Sequence, residues 1–151
     1  MLRLLSIEHH LQEERAGCLA ACAQMALACV GVRQSQQKLN RLFGLKPEGV
    51  PSSRIVRLEN LGVVVHYVVG DEQSLRAAID RGVPPIVFLL TGDLPAWKVN
   101  LRHAVLVVGY DEHLVYINDP EFPVAPQKVT WGDFMLAWSE FDYRCALIES
   151  P

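Results

Sequence analysis

Two kinds of apolar patterning divide the chain. From Gly17 to Val30 almost every position is apolar or small, including Leu19, Ala20, Ala21, Cys22, Met25, Ala26, Leu27 and Val30, and Gly31 follows. Ala, Leu and Met favour helix, and a helix that is apolar nearly all round belongs in the middle of a core. Ser35 to Phe43 reads as a second helix, with Ser35 as N-cap and Gly44 at its end. A third starts at Pro51-Ser52-Ser53 and runs to Leu61, closed by Gly62. The start of the chain thus reads as helices only. After Gly62 the pattern changes. Val63 to Val69 is rich in β-branched residues and reads as a strand; Asp71 caps a helix over Glu72 to Arg81; Ile86 to Leu90 is a short buried strand. Ala104 to Tyr110 and Leu114 to Asn118 flank Asp111-Glu112-His113 and read as a hairpin. Thr130 to Glu140 is helical, with Thr130 as N-cap and Trp131 and Trp138 a heptad apart on one face, and Arg144 to Glu149 is a final strand. Thr91 to Leu101, with Gly92, Pro95 and Trp97, is a loop. Helices first and strands later, with a hairpin, argue for an α+β fold rather than a doubly wound one.

The length of 151 residues suits one domain spanning residues 1–151. The net charge of −3 and the lack of any Lys/Arg run argue against a nucleic-acid partner. The apolar run Leu2 to Ile7 is too short for a signal sequence, and no stretch approaches a membrane-spanning length, so the expected compartment is the cytosol. Four cysteines occur, Cys18, Cys22, Cys29 and Cys145, with no C-x-x-C spacing that would suggest zinc. A disulfide from Cys22 or Cys29 to Cys145 competes with the reading favoured here, that these three are small buried hydrophobes in a reducing compartment.

Cys18 differs from the other three by position. It lies at the head of the buried helix, where free N–H groups and the helix dipole favour a thiolate. A core cysteine is the plainer reading of that feature alone. His103 precedes the first hairpin strand and Asp119 follows the second. If the hairpin turns about Asp111 to His113, the two lie opposite each other or within one step. A carboxylate there would fix the imidazole tautomer and leave the other ring nitrogen as a base. A structural cross-strand pair, or an Asp-Pro turn, explains the same residues equally well. Gln12, six residues before Cys18, can supply a side-chain amide to an oxyanion, although a surface Gln is an equally plain reading of that residue alone. Trp97 reads either as a roof over His103 or as a loop anchor. His66 and His113 read as a strand residue and a turn residue.

Taken together these residues follow the order of a papain-like cysteine peptidase: Gln, Cys on a helix, His on a strand, Asp on the paired strand. The segment QEERAGCLAACAQMAL resembles the opening motif of the bacteriocin-processing cysteine peptidases, domains often fused to ABC exporters. RHAVLVVGYDEHLVYINDPEFP resembles the same family's histidine–hairpin–Asp-Pro signature, and VTWGDFMLAW its terminal helix. The resemblance spans roughly Gln12 to Ile148. It implies a papain-like fold with Cys18 as nucleophile, His103 as base, Asp119 as its orienter and Gln12 in the oxyanion hole. It also implies a peptide or protein substrate, in that family a leader cut after a double glycine, and an exporter or similar partner that delivers it. No metal or organic cofactor is needed for such chemistry. One departure stands out: Gly17-Cys18-Leu19 replaces the family's usual Asp-Cys-Gly, in the neighbourhood where the substrate's small residues dock. Two other functions use the same scaffold, a peptide-binding module that does not cut and an acyl transferase with the same triad.

Overall fold

The computed structural model describes every residue, Met1–Pro151. Its centre is an antiparallel sheet in the order β2-β7-β3-β4-β5-β6, built from β2 (Val64–Val69), β3 (Ile86–Leu90), β4 (Arg102–Tyr110), β5 (Leu114–Asn118), β6 (Gln127–Thr130) and β7 (Arg144–Glu149). A two-residue strand, β1 (Arg3–Leu4), pairs with the far end of β4. Helices α1 (Cys18–Ala28), α2 (Gln36–Phe43), α3 (Glu72–Asp80) and α4 (Trp131–Ser139) complete the fold.

Strand alternation divides the apolar residues between two cores. Phe88, Ala104, Leu106 and Val108 face α1, α2 and the segment Ser52–Leu61. Val87, Leu89, Val105, Val107 and Ile117 face α3 and α4. This follows from the two-residue period of a strand: β3 and β4 are hydrophobic at nearly every position because both of their faces are covered. The all-round apolar character of α1 has the same cause, since eight of its eleven residues are buried. Trp131 and Trp138 are buried together on α4, as their spacing requires.

The caps fall where the sequence puts them. Ser35 accepts from Lys38 N–H, Asp71 and Ser74 form a capping box, and Thr130 accepts from Asp133 N–H. Three expectations need correction. The N-terminal part is not helical throughout, because β1 joins the sheet. Ser52–Leu61 is a 3₁₀ helix; its buried residues, Ile55 and Leu58, are three apart, which suits three residues per turn. The hairpin contains a bulge between Val107 and Gly109. Gly109 is required at that point, because a Cβ there would stand 2.5 Å from the Arg3 carbonyl oxygen of β1.

Free, buried Cys22 and Cys145 match the reading favoured from the sequence, and Cys29 departs from it. All four are free, and Cys22 and Cys145 lie in different cores on opposite faces of the sheet. Cys29 is exposed at the end of α1 rather than buried.

Candidate active site

The helix that carries Cys18 begins abruptly. The Gly17 N–H donates to the Glu14 carbonyl at 3.0 Å, and Ala16 turns the chain with φ 62°. A Cβ at Gly17 would lie 2.9 Å from that same carbonyl oxygen, so the tight turn needs glycine. No side chain caps α1, and Cys18 is its first residue, half-buried at the positive end of the helix dipole.

His103 and Asp119 meet at the end of the sheet nearest this turn. Leu106 faces Asn118 and Val107 faces Ile117, so by that register Asp119 lies opposite Val105. His103 is therefore two residues away, on the diagonal, one step beyond the opposite-or-within-one-step placement that the hairpin arithmetic predicts. The turn lies between Asp111 and Leu114, so Tyr110 faces Val115; the bulge narrows the resulting offset by one residue, and diagonal neighbours on one face remain within side-chain reach. His103 Nε2 donates to Asp119 Oδ1 at 2.7 Å. The imidazole is 7 % exposed and the carboxylate fully buried.

Asp119 has each oxygen occupied. Oδ1 also accepts from Glu121 N–H at 3.0 Å, and Oδ2 accepts from Trp97 Nε1–H at 2.8 Å. The Asp-Pro turn and the His partner thus coexist in one side chain. Trp97 does both things the sequence allows it. Its ring lies 4.8 Å from the His103 ring and 5.4 Å from Phe122, while its N–H anchors the carboxylate. The loop that presents Trp97 is closed by buried Thr91, whose hydroxyl donates to Val99 C=O at 2.6 Å and accepts from Leu101 N–H at 2.9 Å.

With Nε2 bound to Asp119, Nδ1 is the ring nitrogen left for Cys18. Burial alone disfavours the charged imidazole, but the Asp119 hydrogen bond and then the hydrogen bond and charge of Cys18 outweigh it, and His103 is raised to about 10. Burial also opposes the Asp119 charge. His103, Trp97 and the Glu121 amide prevail, and the carboxyl is held below its usual range. Cys22, one turn along α1 from Cys18, is pushed well up by burial and by the charges of Cys18 and Asp119. The surroundings therefore favour a charged imidazole beside the Asp119 carboxylate, with the Cys18 side chain as its other neighbour.

Gln12 lies in the same groove, a cavity of about 970 Å³ whose wall includes Gln12, Cys18, Leu19, Trp97, His103 and Phe141. The Gln12 N–H donates to the Pro120 carbonyl at 2.9 Å, joining this segment to the Asp119 turn. Its Nε2 makes one long bond, 3.3 Å to Glu14 C=O, which leaves the second amide N–H uncommitted. All four residues singled out from the sequence thus meet at one place. The hydrogen bond from Trp97 to Asp119 was not foreseen; its only signal was an aromatic residue six positions before the histidine.

Comparison with solved structures agrees with the fold. A C39-like peptidase from Bacillus anthracis superposes with a TM-score of 0.84 at 17% identity, over 100% of this chain and 98% of the other. The peptidase domain of Streptococcus ComA, a bi-functional ABC transporter involved in quorum sensing, gives 0.76 at 20% identity, over 95% and 98%. A double glycine motif protease from an AMS/PCAT transporter, in complex with its leader peptide, gives 0.76 at 17% identity, over 98% and 94%. No curated protein matches the sequence. Residues 4–146 match the Peptidase_C39 like family, almost the whole of the chain, and the protein belongs to that family.

Proposed function

We propose that the protein is a cysteine endopeptidase that cuts a leader or precursor peptide, with residues 1–151 acting as one papain-like domain. The observation that carries this reading is the His103 imidazole, bonded to Asp119 at 2.7 Å and interacting with Cys18 through its other side. In this reading the Cys18 thiolate attacks the scissile carbonyl carbon, and a C–S bond forms as the carbonyl electrons move onto oxygen. The Cys18 N–H and the Gln12 amide hold that oxyanion. As it collapses the C–N bond breaks and His103 passes its proton to the departing amine. Water then attacks the acyl-enzyme while His103 takes its proton, and the thiolate leaves. Asp119 keeps the ring oriented throughout.

A leader peptide is favoured by the likeness to a double glycine motif protease that was captured with one. The groove, about 970 Å³, has room for a peptide segment. Leu19 forms part of its wall, next to the nucleophile, so the residues accepted around the cut need not be two glycines. No helix is long and apolar enough to cross a membrane. Delivery of the peptide by an exporter fits the ABC transporters that house the similar domains.

The test is cleavage of a peptide library read by mass spectrometry, with Cys18→Ala beside the wild type. We expect the wild type to release defined products and the variant to release none while keeping its thermal melt. Cleavage that survives in Cys18→Ala would overturn the reading. Product masses that carry an added amine in place of water would move it to acyl transfer.

A further inference from the structure

We propose that Gln36 is a positioning residue for this site, one that fixes where the Gln12 amide stands relative to Cys18. The inference rests on the peptidase reading above. Gln36 is the first residue of α2 and only 1% exposed. Its side chain reaches the two residues that flank Gln12. Nε2 donates to the Leu11 carbonyl at 2.8 Å, and Oε1 accepts from the Glu13 N–H at 3.0 Å. The second Nε2 hydrogen goes to Gln24 Oε1 at 3.0 Å. Gln24 belongs to α1, the helix that starts with Cys18, and is itself held to the Gln34 carbonyl at 3.2 Å.

One buried amide therefore ties the strand of chain around Gln12 to the helix of the nucleophile. Neither Gln36 nor Gln24 lines the groove, so neither is placed to touch a substrate. A polar side chain buried at that position costs stability unless every bond is made, and an apolar residue would fill the space without that demand. What the amide provides is register between two segments that have no other direct side-chain bond. The third restraint on Gln12, its N–H to Pro120 C=O at 2.9 Å, comes from the Asp119 turn. Both donors assigned to the oxyanion, the Gln12 amide and the Cys18 N–H, are thus spaced through the bridge Leu11/Glu13–Gln36–Gln24. Displacing an oxyanion donor harms the tetrahedral state more than substrate binding, because the oxyanion exists only after attack.

The experiment takes the best-cleaved library peptide and compares Gln36→Met, close in size but without the amide, with wild type, Gln12→Ala and the double variant. We expect Gln36→Met to lower kcat by about tenfold and to leave KM within about twofold. Alkylation of Cys18 by iodoacetamide should keep its wild-type rate, since that reaction passes through no oxyanion. In the Gln12→Ala background Gln36→Met should cost less than about twofold more, because the donor it positions is already gone. Gln36→Glu, which retains the acceptor for Glu13 N–H, is read in the same way, so that a folding defect of one variant does not substitute for the result. Unchanged kcat in both variants, a loss that multiplies with that of Gln12→Ala, or alkylation slowed in step with kcat would each overturn the proposal. Cys18→Ala separates the two levels: cleavage that survives in it sinks the peptidase reading, whereas cleavage lost in it but untouched by Gln36→Met sinks only the role of Gln36.

Discussion

Asp119 is the residue on which the most interactions of the site converge: two hydrogen bonds at Oδ1, one at Oδ2, and no exposure. The hydrogen bond it accepts, ahead of the bond and charge of Cys18, is the largest influence that lets a buried imidazole stay protonated up to about 10. If the reactive form is thiolate beside imidazolium, kcat/KM should hold through neutral pH and fall as His103 loses its proton near that value. In Asp119→Asn the carboxylate charge is gone and burial, which lowers the imidazole, is no longer outweighed to the same degree. The alkaline limb should then move down by about one unit or more. A pH–rate profile checks this, and a limb that stays near 10 in the variant would assign it to another group. Trp97→Phe keeps a ring against His103 but removes the 2.8 Å bond to Oδ2, and should lower kcat by about tenfold or more, the worth of one hydrogen bond to a charged group. Steady-state kinetics measure it. The sequence names His103 and Asp119 because the hairpin brings them together on backbone register alone. It leaves the role of Trp97 open, because a loop's path depends on clamps such as Thr91 that have no periodic signal.

Among the elements, the tight turn before α1 and the loop before β4 carry the site, and each rests on a single residue. Gly17→Ala would drive a Cβ to 2.9 Å from the Glu14 carbonyl oxygen, in a turn where Ala16 already has φ 62°. The backbone has to give, and Cys18 is the next residue. We expect kcat/KM to fall by about tenfold or more, with α1 still formed. Circular dichroism and kinetics together check this. Thr91→Val leaves the Val99 carbonyl and the Leu101 N–H without the hydroxyl that joins them in a buried place. A loss of about 1–3 kcal/mol is expected on urea denaturation. Element types were largely readable: periodicity, caps and glycine stops find α1 to α4, β2 to β5 and β7. The two strands missed, β1 and β6, are short and mostly polar or exposed. They exist because β4 and β5 offer paired backbone to them, a tertiary cause that local pattern does not record.

At the scale of the whole molecule the sheet separates two cores, and the four thiols report that separation. Cys22 is fully buried on the α1 side and Cys145 on the α4 side, so no movement short of unfolding brings them together. Burial pushes Cys145 up to about 11 and Cys22 well above its ordinary value, which leaves almost no thiolate on either at neutral pH. Cys29 is exposed, but its sulfur is turned toward the Met25 carbonyl at 3.6 Å and desolvation raises it too. Cys18 alone has a charged imidazole for a neighbour. Alkylation of the native protein at pH 7 should therefore proceed in three tiers: Cys18 fastest, Cys29 slowly, and Cys22 and Cys145 only after denaturant opens the cores. Peptide mapping after timed iodoacetamide quench resolves the four sites. Early modification of Cys22 or Cys145 in the native protein would contradict the two-core architecture, and equal rates at Cys18 and Cys29 would remove the thiolate from the head of α1. The order of labelling thus tests the fold and the site in one measurement, because the same sheet that buries two thiols carries the imidazole beside the third.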